Sequence, residues 1–221
     1  MRVYLAGPNN QLQARVLEDM PALLSFAYYP KWMEQWHPSF SRVLIDSGAF
    51  SELNSGKKID AEEYREWSER WQGHADAIAG LDDIRGDWKR SLRNYEHIPW
   101  TFPVWHETDP WELLPDLVAM ARERCGWLGI GLLPPRNGKE QIIRDACKQI
   151  PEGIHVHGFA LRAYTHIRRL DSVDSTNWFL DTMKIRRDLP WLTYGECAEL
   201  VVKRYKRWKR RIIDEEQELF Q

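Results

Sequence analysis

Cysteine is scarce in this chain, and what there is lies scattered. Cys125, Cys147 and Cys197 are the three, odd in number and without any CxxC or CxH pairing, which excludes a disulfide framework and argues against a structural zinc. Long apolar runs are missing as well. No stretch approaches membrane-spanning length, and Met1–Ala6 enters an apolar strand at once rather than a signal-peptide core, so the reading predicts a soluble, cytoplasmic protein with no membrane partner. Neither sign of charge dominates: 31 Lys and Arg stand against 33 Asp and Glu, a formal net charge of −2. A chain that coats nucleic acid by bulk charge is thereby excluded, and any such binding must rest on a local patch. Low-complexity segments, linkers and fixed-period repeats are absent too. A length of 221 residues gives one domain, or at most two small ones, with room for a substantial core.

What is present is alternation. Apolar, strand-like runs fall at Arg2–Ala6, Ala22–Tyr28, Arg42–Asp46, Asp76–Asp82, Thr101–His106, Trp127–Leu132, Ile154–Phe159 and Ser172–Thr176. Helical spacing is clearest at Asp60–Gln72, Asp87–Tyr95, Pro110–Arg124, Gly138–Gln149 and Ala163–Leu170, with Asp60 and Asp109-Pro110 read as helix starts. About eight βα units with near-continuous apolar strands predict an α/β protein whose parallel sheet is covered by helices. The count predicts closure into a (β/α)8 barrel over about residues 2–178, followed by a basic helical segment over about 179–221, all in one domain. An open doubly wound sheet is the alternative.

The polar residues then collect at strand ends. Arg42-Val43-Leu44-Ile45 runs into Asp46-Ser47-Gly48-Ala49-Phe50, putting a carboxylate where a strand gives way to a turn. Asp82 and Asp83 end the fourth strand, His106 the fifth and Gly129 and Gly131 the sixth; His155 and His157 lie on the seventh, and Asp171 and Asp174 flank the eighth. In a barrel these converge on one mouth, which predicts an active site there. Lys203–Arg211 carries seven basic residues in nine, while Val201, Tyr205, Trp208 and Ile212 recur at helical spacing. One face should dock on the barrel and the other grip phosphates, through Lys203, Arg204, Lys206, Arg207, Lys209, Arg210 and Arg211, with Lys184, Arg186 and Arg187 nearby.

Asp46-Ser47-Gly48-Ala49-Phe50 resembles the DSGGFQ signature of the tRNA-guanine transglycosylase superfamily, and Leu128-Gly129-Ile130-Gly131-Leu132 resembles its glycine-containing loop after the sixth strand. His157-Gly158-Phe159-Ala160 followed by Ser172-Val173-Asp174-Ser175-Thr176-Asn177-Trp178 resembles its last two strands. The compact form is closest to phage-encoded DNA-guanine transglycosylases. The resemblance implies exchange of guanine in nucleic acid, DNA favoured over tRNA, for a free 7-deazaguanine such as preQ0, without a cofactor, in the host cytoplasm if phage-encoded. It implies Asp174 as nucleophile and Asp46 as proton-transfer group. Counting strictly from the seventh-strand glycine lands on Asn177, but its neutral amide is a far poorer nucleophile than Asp174. Substrate binding would fall to Ser47, Gly48, Phe50, Asp82, His106, Gly129, Gly131, Leu132 and His157. The Cys-rich zinc site of the tRNA enzymes has no counterpart here, so no metal is expected.

The chemistry stands without the family. Replacing a base with retained configuration takes two displacements at C1′ through an aspartyl-sugar ester, so two carboxylates suffice. A guanine edge offers N1–H and N2–H2 donors, which a carboxylate such as Asp82 accepts, while a backbone N–H of Gly131 or Leu132 meets O6. The alternatives are a tRNA enzyme of the same kind and a metal-dependent barrel hydrolase built on His155-x-His157 and Asp174.

Overall fold

The structure is a computed structural model and describes residues 1–8, 11–29, 33, 39–56, 58–135 and 138–204. Eight strands form, β1 Arg2–Ala6, β2 Pro21–Ser25, β3 Arg42–Asp46, β4 Ala77–Ile78, β5 Val104–His106, β6 Trp127–Gly131, β7 His155–Phe159 and β8 Ser172–Ser175. Seven helices are α1 Gln11–Val16, α2 Ala49–Ser55, α3 Ala61–Glu69, α4 Trp88–His97, α5 Leu114–Glu123, α6 Glu140–Gln149 and α7 Asn177–Asp188, and α8 spans 194–204.

All the strand pairs are parallel, in the order β4-β3-β2-β1-β8-β7-β6-β5. Each strand therefore lies beside its neighbour in the chain, with β8 returning to β1. A doubly wound sheet reverses direction part-way, so that alternative is excluded. The outer strands of this order, β4 and β5, are also consecutive in the chain. Just beyond β4, Ala79 bridges Phe102 in parallel, Gly80 N–H donates to Phe102 O at 2.8 Å, and Phe102 N–H donates to Ile78 O at 2.8 Å. The result is a curled, all-parallel eight-stranded sheet compatible with a (β/α)8 barrel.

Side chains alternate across this sheet with the strand period of two. Tyr4, Ala6, Leu23, Leu44, Ala77, Ala79, Phe102 and Val104 cluster on the concave side. The intervening Leu5, Ala22, Leu24, Val43, Ile45 and Ile78 pack in a second cluster with Tyr64, Trp67 and Trp71 of the helical layer. Trp105, Leu128, Ile130, Val156 and Val173 do the same with Leu117, Ala121, Ile143 and Ala146. The strands are buried on both faces, which is why they read as continuous apolar runs.

Several expectations change. Ala163–Leu170 is not a helix: a 3-10 turn covers Arg162–Tyr164, and Tyr164, Ile167 and Leu170 each donate N–H to the carbonyl three residues back. Leu161, Tyr164, Ile167 and Leu170, spaced by three, are all buried, so the tighter period wins. Asp60 caps α3 as expected, its Oδ1 accepting from the N–H groups of Glu62 and Glu63 at 2.9 and 3.0 Å. Asp109 caps no helix and instead accepts from His106 N–H at 2.8 Å, fastening the turn beyond β5. The fourth strand is two residues rather than the run Asp76–Asp82. Helices α1 and α2 have no counterpart among the elements that spacing predicts, α2 because it starts in a Ser-Gly turn, while α7 and α8 fall in the segment from about 179 that the sequence predicts to be helical, α7 starting two residues earlier in a Thr-Asn turn.

Candidate active site

The C-terminal strand ends and the loops beyond them enclose a cavity of about 390 Å³, within the size range of small-molecule sites. Asp46, Phe50, Asp82, His106, Gly131, Leu132 and Asp174 all line it, so seven of the predicted catalytic and binding residues meet in one place. Ser25, Tyr28, Ser51, Asn54, Phe159 and Thr176 join them. Of these six, the sequence offers only Phe159, as a ring that could stack on a purine or pack in the core; it nominates none of the other five. Tyr28 and Phe50 are 58% and 41% exposed, two aromatic rings at the cavity's open side.

Asp46 ends β3 beside Ser25 of β2. Removal from bulk water, then the charge of Asp82 and, more weakly, of Asp174, raise its pKa from an ordinary 3.8 to about 7, while the Ser25 hydroxyl and the Gly48 N–H act in the opposite sense. That N–H donates to Asp46 Oδ2 at 3.1 Å. The carboxyl is thus poised to give up and take back a proton near neutrality.

Asp82 is held from two sides. Ser47 Oγ donates to its Oδ1 at 3.2 Å, and its Oδ2 pairs with His106 Nε2. Burial works against charging His106, but the hydrogen bond and charge of Asp82, with Asp109 and Glu107 beyond, outweigh it and raise the imidazole pKa. Gly131 makes room for that ring: a Cβ there would lie 2.3 Å from His106 Cε1. Gly131 therefore supports the Asp82–His106 pair as well as lining the cavity.

Asp174 lies on β8 opposite Tyr4 of β1 and is 7% exposed. Its Oδ1 accepts the Ala160 N–H at 2.6 Å, and Ala160 adopts φ +54, a left-handed conformation that an L side chain takes only when its surroundings impose it. Asn177 opens α7 and is not among the cavity-lining residues, so Asp174 is the residue at the cavity.

Four predicted binding residues do not reach the cavity. Ser47 is fully buried and acts on Asp82. Gly48, at φ +84, starts α2, and a Cβ on it would lie 2.5 Å from Ala27 Cβ; its close approach is to the chain beyond β2, not to a ligand. A Cβ on Gly129 would meet Phe159 and Val104 at 2.8 and 2.9 Å, placing that glycine in the sheet interior. His157 is fully buried, with its ring edge-on to Tyr4 and Phe159 at centroid distances of 5.9 and 4.6 Å.

Of the basic candidates, Lys184, Arg186 and Arg187 fall in the last turns of α7. That helix begins at the mouth, so Lys184 sits roughly 10 Å along its axis at about 1.5 Å per residue, and none of the three lines the cavity. Lys203 and Arg204 are exposed at the described end of α8, with Val201 and Val202 buried beneath them. Lys206, Arg207, Lys209, Arg210 and Arg211 lie outside the described residues, as do Tyr205, Trp208 and Ile212.

His155 and His157 converge on one position, and a serine hydroxyl fills it. Both contact Ser172 Oγ, at 2.7 and 2.9 Å, and among the described residues no three His, Cys, Asp or Glu side chains gather as a metal-ligand set. Nor is any helix among the described residues long and apolar enough to cross a membrane. Comparison with protein-family models, with curated proteins and with solved structures found no match.

Proposed function

We propose that this chain is a closed (β/α)8-barrel guanine transglycosylase that exchanges a guanine in nucleic acid, preferably DNA, for a free 7-deazaguanine. The observation that carries the reading is the meeting of Asp46, Asp82 and Asp174 in one cavity with three different settings: one titrating near 7, one paired with His106, and one held by a backbone N–H. In the first displacement Asp174 attacks C1′ and the C1′–N9 bond breaks. The bonding pair stays with the purine, which takes a proton from Asp46, and the sugar is left as an ester of Asp174. In the second, the Asp46 carboxylate removes the incoming base's N9 proton; N9 attacks C1′ from the original face, and the ester bond breaks to regenerate Asp174. Two inversions give retention. Asp82, steadied by Ser47 and His106, accepts from the purine N1–H and N2–H2, while Phe50 and Phe159 flank its faces. The reacting nucleotide must leave a duplex or be presented single-stranded to reach this depth.

Labelled guanine incubated with the protein and either DNA or tRNA tests the reading. Incorporation into DNA is expected; incorporation into tRNA alone would reassign the substrate, and incorporation into neither would reject base exchange. In a trapped complex, mass spectrometry should find the sugar on Asp174.

A further inference from the structure

The interior of a small parallel barrel is ordinarily filled with branched apolar side chains, yet one sector here is polar. His155 and His157 of β7 flank Ser172 of β8, with His155 Nε2 at 2.7 Å and His157 Nδ1 at 2.9 Å from the same hydroxyl oxygen. The second nitrogen of His157 is buried without a hydrogen-bond partner, and an acceptor, Asp174 Oδ1, stands 3.5 Å from it. A fully buried, unpartnered polar atom is rare, because leaving its hydrogen bond unmade costs the desolvation of that group.

With His157 neutral, counting protons resolves the arrangement. Ser172 has one hydroxyl proton, so it donates to one imidazole and accepts from the other. If His157 Nδ1 were the donor to Ser172, the neutral ring would turn a lone pair on Nε2 toward the Asp174 carboxylate, two acceptors face to face. The reverse direction removes that conflict: His155 Nε2–H donates to Ser172, Ser172 O–H donates to His157 Nδ1, and His157 Nε2–H points at Asp174 Oδ1. Burial, which holds the His155 pKa down at about 4, keeps that imidazole neutral and able to fill the first place. The edge-on contacts of Tyr4 and Phe159 hold the His157 ring against turning away.

We infer that His157 is a positioning residue for Asp174: a chain from the half-buried His155 through the buried Ser172 fixes its tautomer, and its Nε2–H, with the Ala160 N–H, holds Oδ1 so that Oδ2 is the oxygen that attacks. The inference rests on the base-exchange reading for its consequence but not for its geometry. The 3.5 Å separation closes as the site tightens around substrate, as catalytic hydrogen bonds in empty sites commonly do. Misplacing an attacking group by about 1 Å can cost on the order of 10²-fold in rate.

Two measurements on the full chain test it. Nitrogen-15 NMR of the histidine side chains should show His157 as the Nε2–H tautomer, and Ser172→Ala should mix the tautomers. An Nδ1–H tautomer in the unaltered protein overturns the proposal whatever the activity. Single-turnover formation of the sugar adduct should fall roughly 10- to 100-fold in His157→Leu and several-fold in Ser172→Ala. His157→Gln, whose amide N–H can reach the place of Nε2–H, should restore most of the rate, and guanine affinity should stay unchanged in all three. Should His157→Leu fail to fold, the Ser172→Ala and His157→Gln pair carries the comparison. Normal adduct formation in Ser172→Ala with mixed tautomers, or loss of guanine affinity in step with rate, would return these residues to packing. Absence of adduct in the unaltered protein would reject base exchange, and the attacking role of Asp174 with it.

Discussion

In the proposed reaction, Asp46 acts at the expense of the fold. Because the folded carboxyl keeps its proton up to about pH 7 against an ordinary 3.8, the native state binds more protons than the unfolded chain between those values, and stability falls as pH rises through that window. Asp46→Asn should therefore raise the melting temperature at pH 8, by a stability increment of at most a few kcal/mol, and change it little at pH 4; thermal unfolding at the two pH values checks this. The same substitution should lower exchange by ~10² to 10⁴, whereas Asp174→Asn should abolish it while guanine still binds. Mass spectrometry should find the trapped sugar on Asp174 in the unaltered protein and none there in Asp174→Asn. Asp46 is legible in the sequence because it ends an apolar strand where a turn begins, and Asp174 because the run Ser172–Trp178 resembles the last strand of the transglycosylase pattern. Ser25, Tyr28 and Asn54 are not, since they reach the cavity from a strand end, a 3-10 turn and a helix whose placement is tertiary. The structural duty of Gly48 is hidden for a related reason: its constraint is Ala27, 21 positions earlier in the chain, and spacing carries no sign of it.

At the scale of elements, α2 depends on that glycine. Gly48→Ala would place a methyl 2.5 Å from Ala27 Cβ at a φ of +84, so a loss of about 2–4 kcal/mol is expected from strain and overpacking together. Chemical denaturation measures it, and an unchanged midpoint would mean that the chain beyond β2 yields freely. Most of the strands are readable because burial on both faces makes them largely apolar, β7 (HVHGF) and β8 (SVDS) being the exceptions. The turns of residues 161–170 pass for a helix in the sequence because a spacing of three and a helical period differ little over so short a stretch, and only the strict recurrence of Leu161, Tyr164, Ile167 and Leu170 separates them. Asp109-Pro110 misleads for a different reason: a capping residue beside a proline is a local signal, and the competing demand of the His106 N–H is not.

For the whole molecule, the near-neutral charge would make the proposed nucleic-acid binding a matter of where the cations are. If the exposed Lys203 and Arg204 grip phosphates, replacing both with Gln should flatten the log–log salt dependence of DNA binding by up to about one unit for each phosphate left without its cation, with free-base affinity unchanged. An unaltered slope would remove α8 from the interface.

The thin join between β4 and the run into β5 has a consequence for motion. β2 and β3 are paired along five residues, whereas the join rests on a single bridge, Ala79 to Phe102, made by the two backbone bonds that Gly80 and Phe102 donate. Amide protons of Gly80 and Phe102 should then exchange with deuterium faster than those of Leu23 and Leu44, because local opening starts where fewest bonds must break together. Asp82 and His106 sit on opposite banks of this join, and their ion pair is its clasp. If a purine engages Asp82 as proposed, it handles the clasp of this seam, and its arrival and departure should register as a change in exchange at Gly80 and Phe102.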